Sequence, residues 1–179
     1  MRRLALAAAF SMLIVMGLSS LQAQMGPPTP APELKKLDFL VGDWTVEGTQ
    51  TPGPGAPSGK WSGTSHAEWM DGNFFLVEHY DMDLGAMGKG KELACYGYDS
   101  DRGVYTYRSF SSWGETENAE GKLDGDTWTW SSTEHMGGKT MQGRFTMKVI
   151  SPTSYTMKFE VSSDGKQWFT GMEGKGTKK

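Results

Sequence analysis

Aromatic residues two positions apart recur along the chain: Tyr96 and Tyr98, Tyr105 and Tyr107, Trp128 and Trp130. Trp61, Ala67 and Trp69 also fall on positions of one parity. On an extended chain, residues two apart share a face. Rings facing an enclosed space give it apolar walls and a few hydroxyl or indole N–H handles, which is how small-molecule sites are usually built. The expected ligand contacts are therefore Trp69, Tyr98, Tyr107, Trp128 and Trp130. Arg108, on the face opposite Tyr107, is a further candidate for meeting a ligand carboxylate. Rings that simply fill a core would show the same spacing.

Other chemistry is sparser. Paired carboxylates such as Glu115 and Glu117, or Glu68 and Glu78, suit acid–base work only if they face a cavity. Ser163-Asp164-Gly165-Lys166 matches Ser-x-x-Lys, but that motif needs a helix and Asp164-Gly165 marks a hairpin. The run from Gly85 to Lys91 lacks the helix that follows a phosphate loop. No catalytic residue is assigned, and the chain is expected not to be an enzyme. Its histidines are His66, His79 and His135, with no pair at the short spacing that puts two nitrogens on one metal. His79, Asp81 and Asp83 alternate along one strand face, as a solvated face also would. The alternatives kept open are an enzyme using a cavity carboxylate, or a haem or copper site on His79 or His135, the latter flanked by Met136 and Met141. No metal and no cofactor are expected.

The elements that must position these residues read as strands. From Trp61 onward the period is two, giving strands near 61–69, 74–82, 91–99, 103–111, 115–122, 127–132, 140–149, 154–162 and 167–175. Asp71-Gly72-Asn73, Asp124-Gly125-Asp126, Gly137-Gly138 and Asp164-Gly165 supply turn residues between them. Trp44 to Gly48 adds a strand, making about ten. Leu34, Leu37 and Leu40, with Pro32 before and Gly42 after, predict a short N-terminal helix. Tyr155, Met157, Phe159 and Val161 alternate with Thr156, Lys158 and Glu160, so one face is dry and one wet. An antiparallel meander of this length removes its exposed edges by closing on itself. The expected fold is all-β, a closed ten-stranded antiparallel barrel.

Residues 1–23 read as a secretory signal, with Arg2 and Arg3, an apolar stretch from Leu4 to Leu18 and a small residue at Ala23. That stretch is shorter than the roughly 20 residues a membrane span needs. Residues 24–32 form a Pro-rich arm, and 33–179 one domain. The expected address is the periplasm or the exterior, without a membrane anchor after cleavage. Without Arg2 and Arg3, 16 of the 18 basic side chains face 21 acidic ones. Scattered lysines and arginines in an acidic chain argue against nucleic acid as a partner. Cys95 is the sole cysteine, so no internal disulfide forms. A monomer or weak dimer holding a small, largely apolar molecule is the expected state.

Phe39-Leu40-Val41-Gly42-Asp43-Trp44, Trp69-Met70-Asp71-Gly72-Asn73-Phe74-Phe75-Leu76, Gly97-Tyr98-Asp99 and Asp164-Gly165-Lys166 together resemble a bacterial family, the domain of unknown function fifteen-seventy-nine. That family is similar to calycins, the lipocalin and fatty-acid-binding barrels, in which a tryptophan after a Gly-x pair closes the barrel floor. Gly42-Asp43-Trp44 matches, so the resemblance implies a fold and a cavity, with Trp44 as floor plug, and no reaction. The nitrobindins, a related ten-stranded group, open with a similar apolar-Gly-x-Trp block and hold haem through a late histidine. This sequence departs from them, since its last histidine is His135.

Overall fold

The structure, a computed structural model, describes residues 28–52, 58–136 and 138–179. The expected signal segment 1–23, residues 24–27 of the arm and the centre of the Pro/Gly loop fall outside them. Ten strands follow in order: β1 Gly42–Gln50, β2 Gly59–Trp69, β3 Leu76–Asp83, β4 Lys89–Asp99, β5 Val104–Ser111, β6 Thr116–Asp124, β7 Thr127–Met136, β8 Lys139–Ser151, β9 Ser154–Ser162 and β10 Phe169–Lys178. Each pairs antiparallel with its sequence neighbour, and β1 pairs with β10, so the sheet closes into a barrel. The closed meander leaves no strand edge for another chain to extend. Positive-φ residues stand at the tight connections that required them, among them Gly72, Asn73, Gly125 and Gly165.

The expected short N-terminal helix is not an α-helix. Pro32–Leu40 is a 3-10 helix instead. Its apolar residues explain this: Leu34, Leu37 and Leu40 are three apart, which lines them up on one side at three residues per turn but not at 3.6. All three are buried against the barrel's lower end. Gly42, at φ 108°, then turns the chain from the helix into β1.

Trp44 closes that floor. It is 0% exposed, and its Nε1 donates to the Leu40 carbonyl at 2.7 Å. Tyr155 packs on its ring at 5.1 Å and Phe39 at 6.3 Å. Lys178, at the end of β10, donates to the Phe39 carbonyl at 3.1 Å and lies 5.3 Å from the Trp44 ring. The two chain ends of the barrel are thus tied together beneath its interior.

The seam between β1 and β10 depends on glycine. Gly48 and Gly174 face each other across it, and the Trp61 ring lies on both. A Cβ on either would enter the ring or the facing backbone carbonyl, so only glycine lets the strands and the indole close together. Gly121 under Trp130 and Gly176 under Tyr155 repeat the device.

Candidate functional site

Strand alternation decides what the barrel interior contains. Along β4 and β5, Glu92, Ala94, Tyr96 and Tyr98 point inward, as do Tyr105, Tyr107 and Ser109. Glu117, Ala119 and Gly121 do so from β6, and Trp128, Trp130, Ser132 and Glu134 from β7. Phe145 and Met147 on β8, Met157 and Phe159 on β9 and Met172 on β10 complete the circle.

The rings form one connected group. Trp128 and Trp130 stack at 5.8 Å with planes 8° apart. Tyr96 meets Trp130 edge-on at 5.6 Å and Tyr107 at 5.1 Å, while Tyr105 meets Trp128 at 4.6 Å. Edge-to-face and offset contacts of this kind hold rings in one arrangement.

The expected ligand contacts divide by depth. Trp69, Tyr98 and Trp128 belong to the floor: Trp69 Nε1 donates to Asp38 at 2.9 Å, Tyr98 packs on Tyr105 at 5.0 Å, and Phe39 stacks on Trp128 at 6.5 Å. Tyr107 and Trp130 stand higher, beside the acidic residues. Arg108 is not brought to the group at all. It is exposed on the outer face, with Nη1 donating to the Tyr107 carbonyl at 2.7 Å. Strand parity requires this, since Tyr107 takes the inward side.

The interior is also more acidic than its rings suggest. Of the paired carboxylates, Glu78 and Glu117 face inward, whereas Glu68 and Glu115 are exposed. Glu92 and Glu134, singled out by nothing in their local sequence, join them.

Glu78 is 1% exposed and accepts from Tyr96 Oη at 2.8 Å. Burial pushes its carboxyl above the usual range, the Ser65, Tyr96 and Tyr80 hydroxyls beside it work the other way, and the Glu92 charge adds to the rise. The Ser65 hydroxyl, on a residue only 5% exposed, has no partner at hydrogen-bond distance and angle.

Nearer the open end, Tyr107 Oη donates to Glu92 Oε1 at 2.5 Å, and Ser132 Oγ donates to Glu134. Burial raises the Glu92 carboxyl above its ordinary value, against the Tyr107 and Ser109 hydroxyls, and Glu115 reinforces the rise. Glu117 is pushed up to about 7, first by burial and then by the charges of Glu134 and Glu92. A carboxyl near 7 can hold or give up a proton at neutral pH.

The family model described as "Protein of unknown function (DUF1579)" matches residues 29–178, nearly all of the barrel and its 3-10 helix. The chain belongs to that family. The fold is similar to the crystal structure of Rv2717c from M. tuberculosis, at 14% identity and a TM-score of 0.60, covering 84% of this chain and 99% of that one. At that identity the likeness is one of fold. No curated protein matches the chain. The matched range includes the floor plug Trp44, the seam glycines and all four inward glutamates.

The histidines lie away from this interior. His66, His79 and His135 are exposed on outward positions, and His66 and His79 face each other across β2 and β3. Among the described residues, no group of three or more His, Cys, Asp or Glu side chains is placed to hold a metal ion. Cys95 is a half-buried free thiol on the outer face of β4.

Proposed function

We propose that this DUF1579 member is an exported binding protein that holds one small molecule with a largely apolar body inside its barrel, without transforming it. One contrast carries the reading. Inward side chains at the floor, including Trp44, Leu76 and Trp128, are sealed at 0 to 1% exposure. Of the inward side chains higher up, Tyr107, Phe145, Met157, Phe159 and Met172 remain half-buried, while Gln50, Ser109 and Val161 are buried. Inward groups that solvent still reaches line a space rather than a packed centre, and rings with thioethers suit an apolar body. Export rests on the amino-terminal Arg2-Arg3 and the apolar stretch after them.

Nile red, a neutral apolar dye, tests this in the purified protein. Its emission should rise on binding, and Tyr107→Ala and Phe159→Ala should weaken its affinity about tenfold, as expected when a buried contact worth roughly 1.4 kcal/mol is lost. An unchanged dye, or equal affinity in all three proteins, would remove the interior as the site.

A second reading is favoured by Glu117, whose proton affinity near pH 7 beside Glu134 suits general acid–base catalysis. Mass spectrometry of a co-purified molecule before and after incubation with fresh protein separates the two. An unaltered mass supports binding, and a changed one supports turnover.

A further inference from the structure

The inward positions of the ten strands carry four carboxyl groups, Glu78, Glu92, Glu117 and Glu134, and one cation, Lys178. Lys178 is held at the floor by the Phe39 carbonyl and the Trp44 ring. Among the described residues, the space above it is therefore lined by acids with no cation among them. The groups that perturb Glu117 and Glu92 are other acids and hydroxyls, never a lysine, arginine or histidine. A stable fold has no need of this, because apolar residues at the same positions would avoid both desolvation and mutual repulsion.

The polar complement is also rich in acceptors. Beside the carboxylates stands the Ser65 hydroxyl, 5% exposed and without a partner, pointing into the interior next to Glu78. A buried hydroxyl left unmet in a closed barrel is a cost that a ligand can remove. The rings of Tyr96, Tyr107 and Trp130 stand among these groups, and their faces attract a cation. The space offers indole N–H groups and hydroxyls but, among the described residues above Lys178, no positive charge. A protonated amine supplies it.

We infer that the ligand held in the barrel is an organic ammonium ion, a protonated amine on an apolar body. The acidic upper wall of Glu92, Glu117 and Glu134 steers the cation inward. The N–H groups meet carboxylate and serine oxygens, and the body lies on the rings. The inference rests on the interior being a binding site, and it fixes the sign of the ligand's charge.

Three probes of one shape test it by calorimetry on the full barrel domain at pH 7: benzylammonium, benzyl alcohol and benzoate. Benzylammonium should bind at least tenfold tighter than benzyl alcohol, with benzoate weakest. Its binding should release protons, seen as a dependence of the observed heat on the buffer's ionisation enthalpy, because an ammonium ion beside Glu117, whose carboxyl is pushed up to about 7, favours its ionised form. Glu117→Gln and Glu134→Gln should each weaken benzylammonium about tenfold and leave benzyl alcohol unchanged. Glu68→Gln, an equal change of charge on the outer face, should alter neither. Circular dichroism checks that each variant is folded, and Ser65→Ala, which removes only the unmet hydroxyl, serves if the glutamine variants are not. It should weaken benzylammonium alone.

Equal binding of benzylammonium and benzyl alcohol, or tighter binding of benzoate, overturns the inference. If Nile red enters and benzylammonium neither binds nor displaces it, the binding function stands and the ammonium assignment falls. If neither enters, both fall.

Discussion

Tyr96 donates its hydroxyl to Glu78 Oε2 at 2.8 Å, inside a barrel where that carboxyl is 1% exposed. Burial outweighs this bond and holds the carboxyl above its ordinary value. The folded state therefore keeps a proton that the unfolded chain gives up. Stability from this source is fully present below the unfolded carboxylate value and is lost as pH rises toward the folded one. Glu78→Gln keeps an oxygen for Tyr96 and cannot ionise. Urea unfolding at pH 5 and pH 8 should show a smaller drop for the variant than for the native protein. Equal drops would mean that Glu78 is ionised in both states.

Glu117 gives the same sign with a defined window. Its carboxyl moves from 4.5 to about 7 on folding, so stability falls between those values as pH rises. A shift of that size corresponds to about 3 kcal/mol by pH 8. Glu117→Gln should recover most of that at pH 8 and little at pH 4.5. The groups facing Glu117 are Glu134, Glu92, Tyr107 and Ser132, and none is cationic. A variant no more stable than the native protein at pH 8 would show that solvent or counterions already relieve the repulsion.

The sequence made the strands and their dry faces legible because parity within one strand is local. Tyr105 and Tyr107, or Tyr155 and Phe159, need no partner to reveal their side. Glu78 was legible in the same way, since it shares parity with Leu76 and Tyr80, whereas Glu68 lies between Ala67 and Trp69 on the wet side. The same rule places Arg108 outside, opposite Tyr107. The grouping of Glu92, Glu117 and Glu134 was not legible. It depends on the register of three successive hairpins from β4 to β7, and register follows from turn geometry and bulges that composition does not specify. The type of the short helix was not legible, because apolar residues three apart fit three residues per turn and, more loosely, 3.6.

Gly48 stands where β1 meets β10, and a Cβ there would enter the Glu173 carbonyl and the Trp61 ring. Backbone cannot turn aside as a side chain can. Gly48→Ala should cost about 3 kcal/mol, the upper part of the range for overpacking. Gly59, on β2 with nothing within 4 Å of its Cβ position, is the matched control. Gly59→Ala should change stability by less than about 0.5 kcal/mol, as at an open surface site. Similar losses in both variants, measured by urea midpoint at constant slope, would show that the seam relaxes around a methyl group.

On the outer face, Arg144 places Nε and Nη2 on one Glu160 oxygen at 3.0 and 2.8 Å, and Lys158 meets the other at 2.8 Å. The guanidinium also lies 3.9 Å over the Trp168 ring. Burial alone would raise the Glu160 carboxyl, but Lys158 and Arg144 together hold it below its usual range. A lowered carboxyl stabilises the fold above the ordinary carboxylate value and loses that contribution as pH falls through the folded value. Arg144→Ala leaves a carboxylate 7% exposed with a single partner and should cost about 2 kcal/mol near neutral pH, the scale of hydrogen bonds to a charged group. Acid unfolding should then begin at a higher pH than in the native protein. Arg144→Lys keeps the charge but not the paired nitrogens or the stacking, and should recover only part of the loss. Full recovery by lysine would reduce the contact to simple charge pairing, and no loss in the alanine variant would leave Lys158 as the partner that matters.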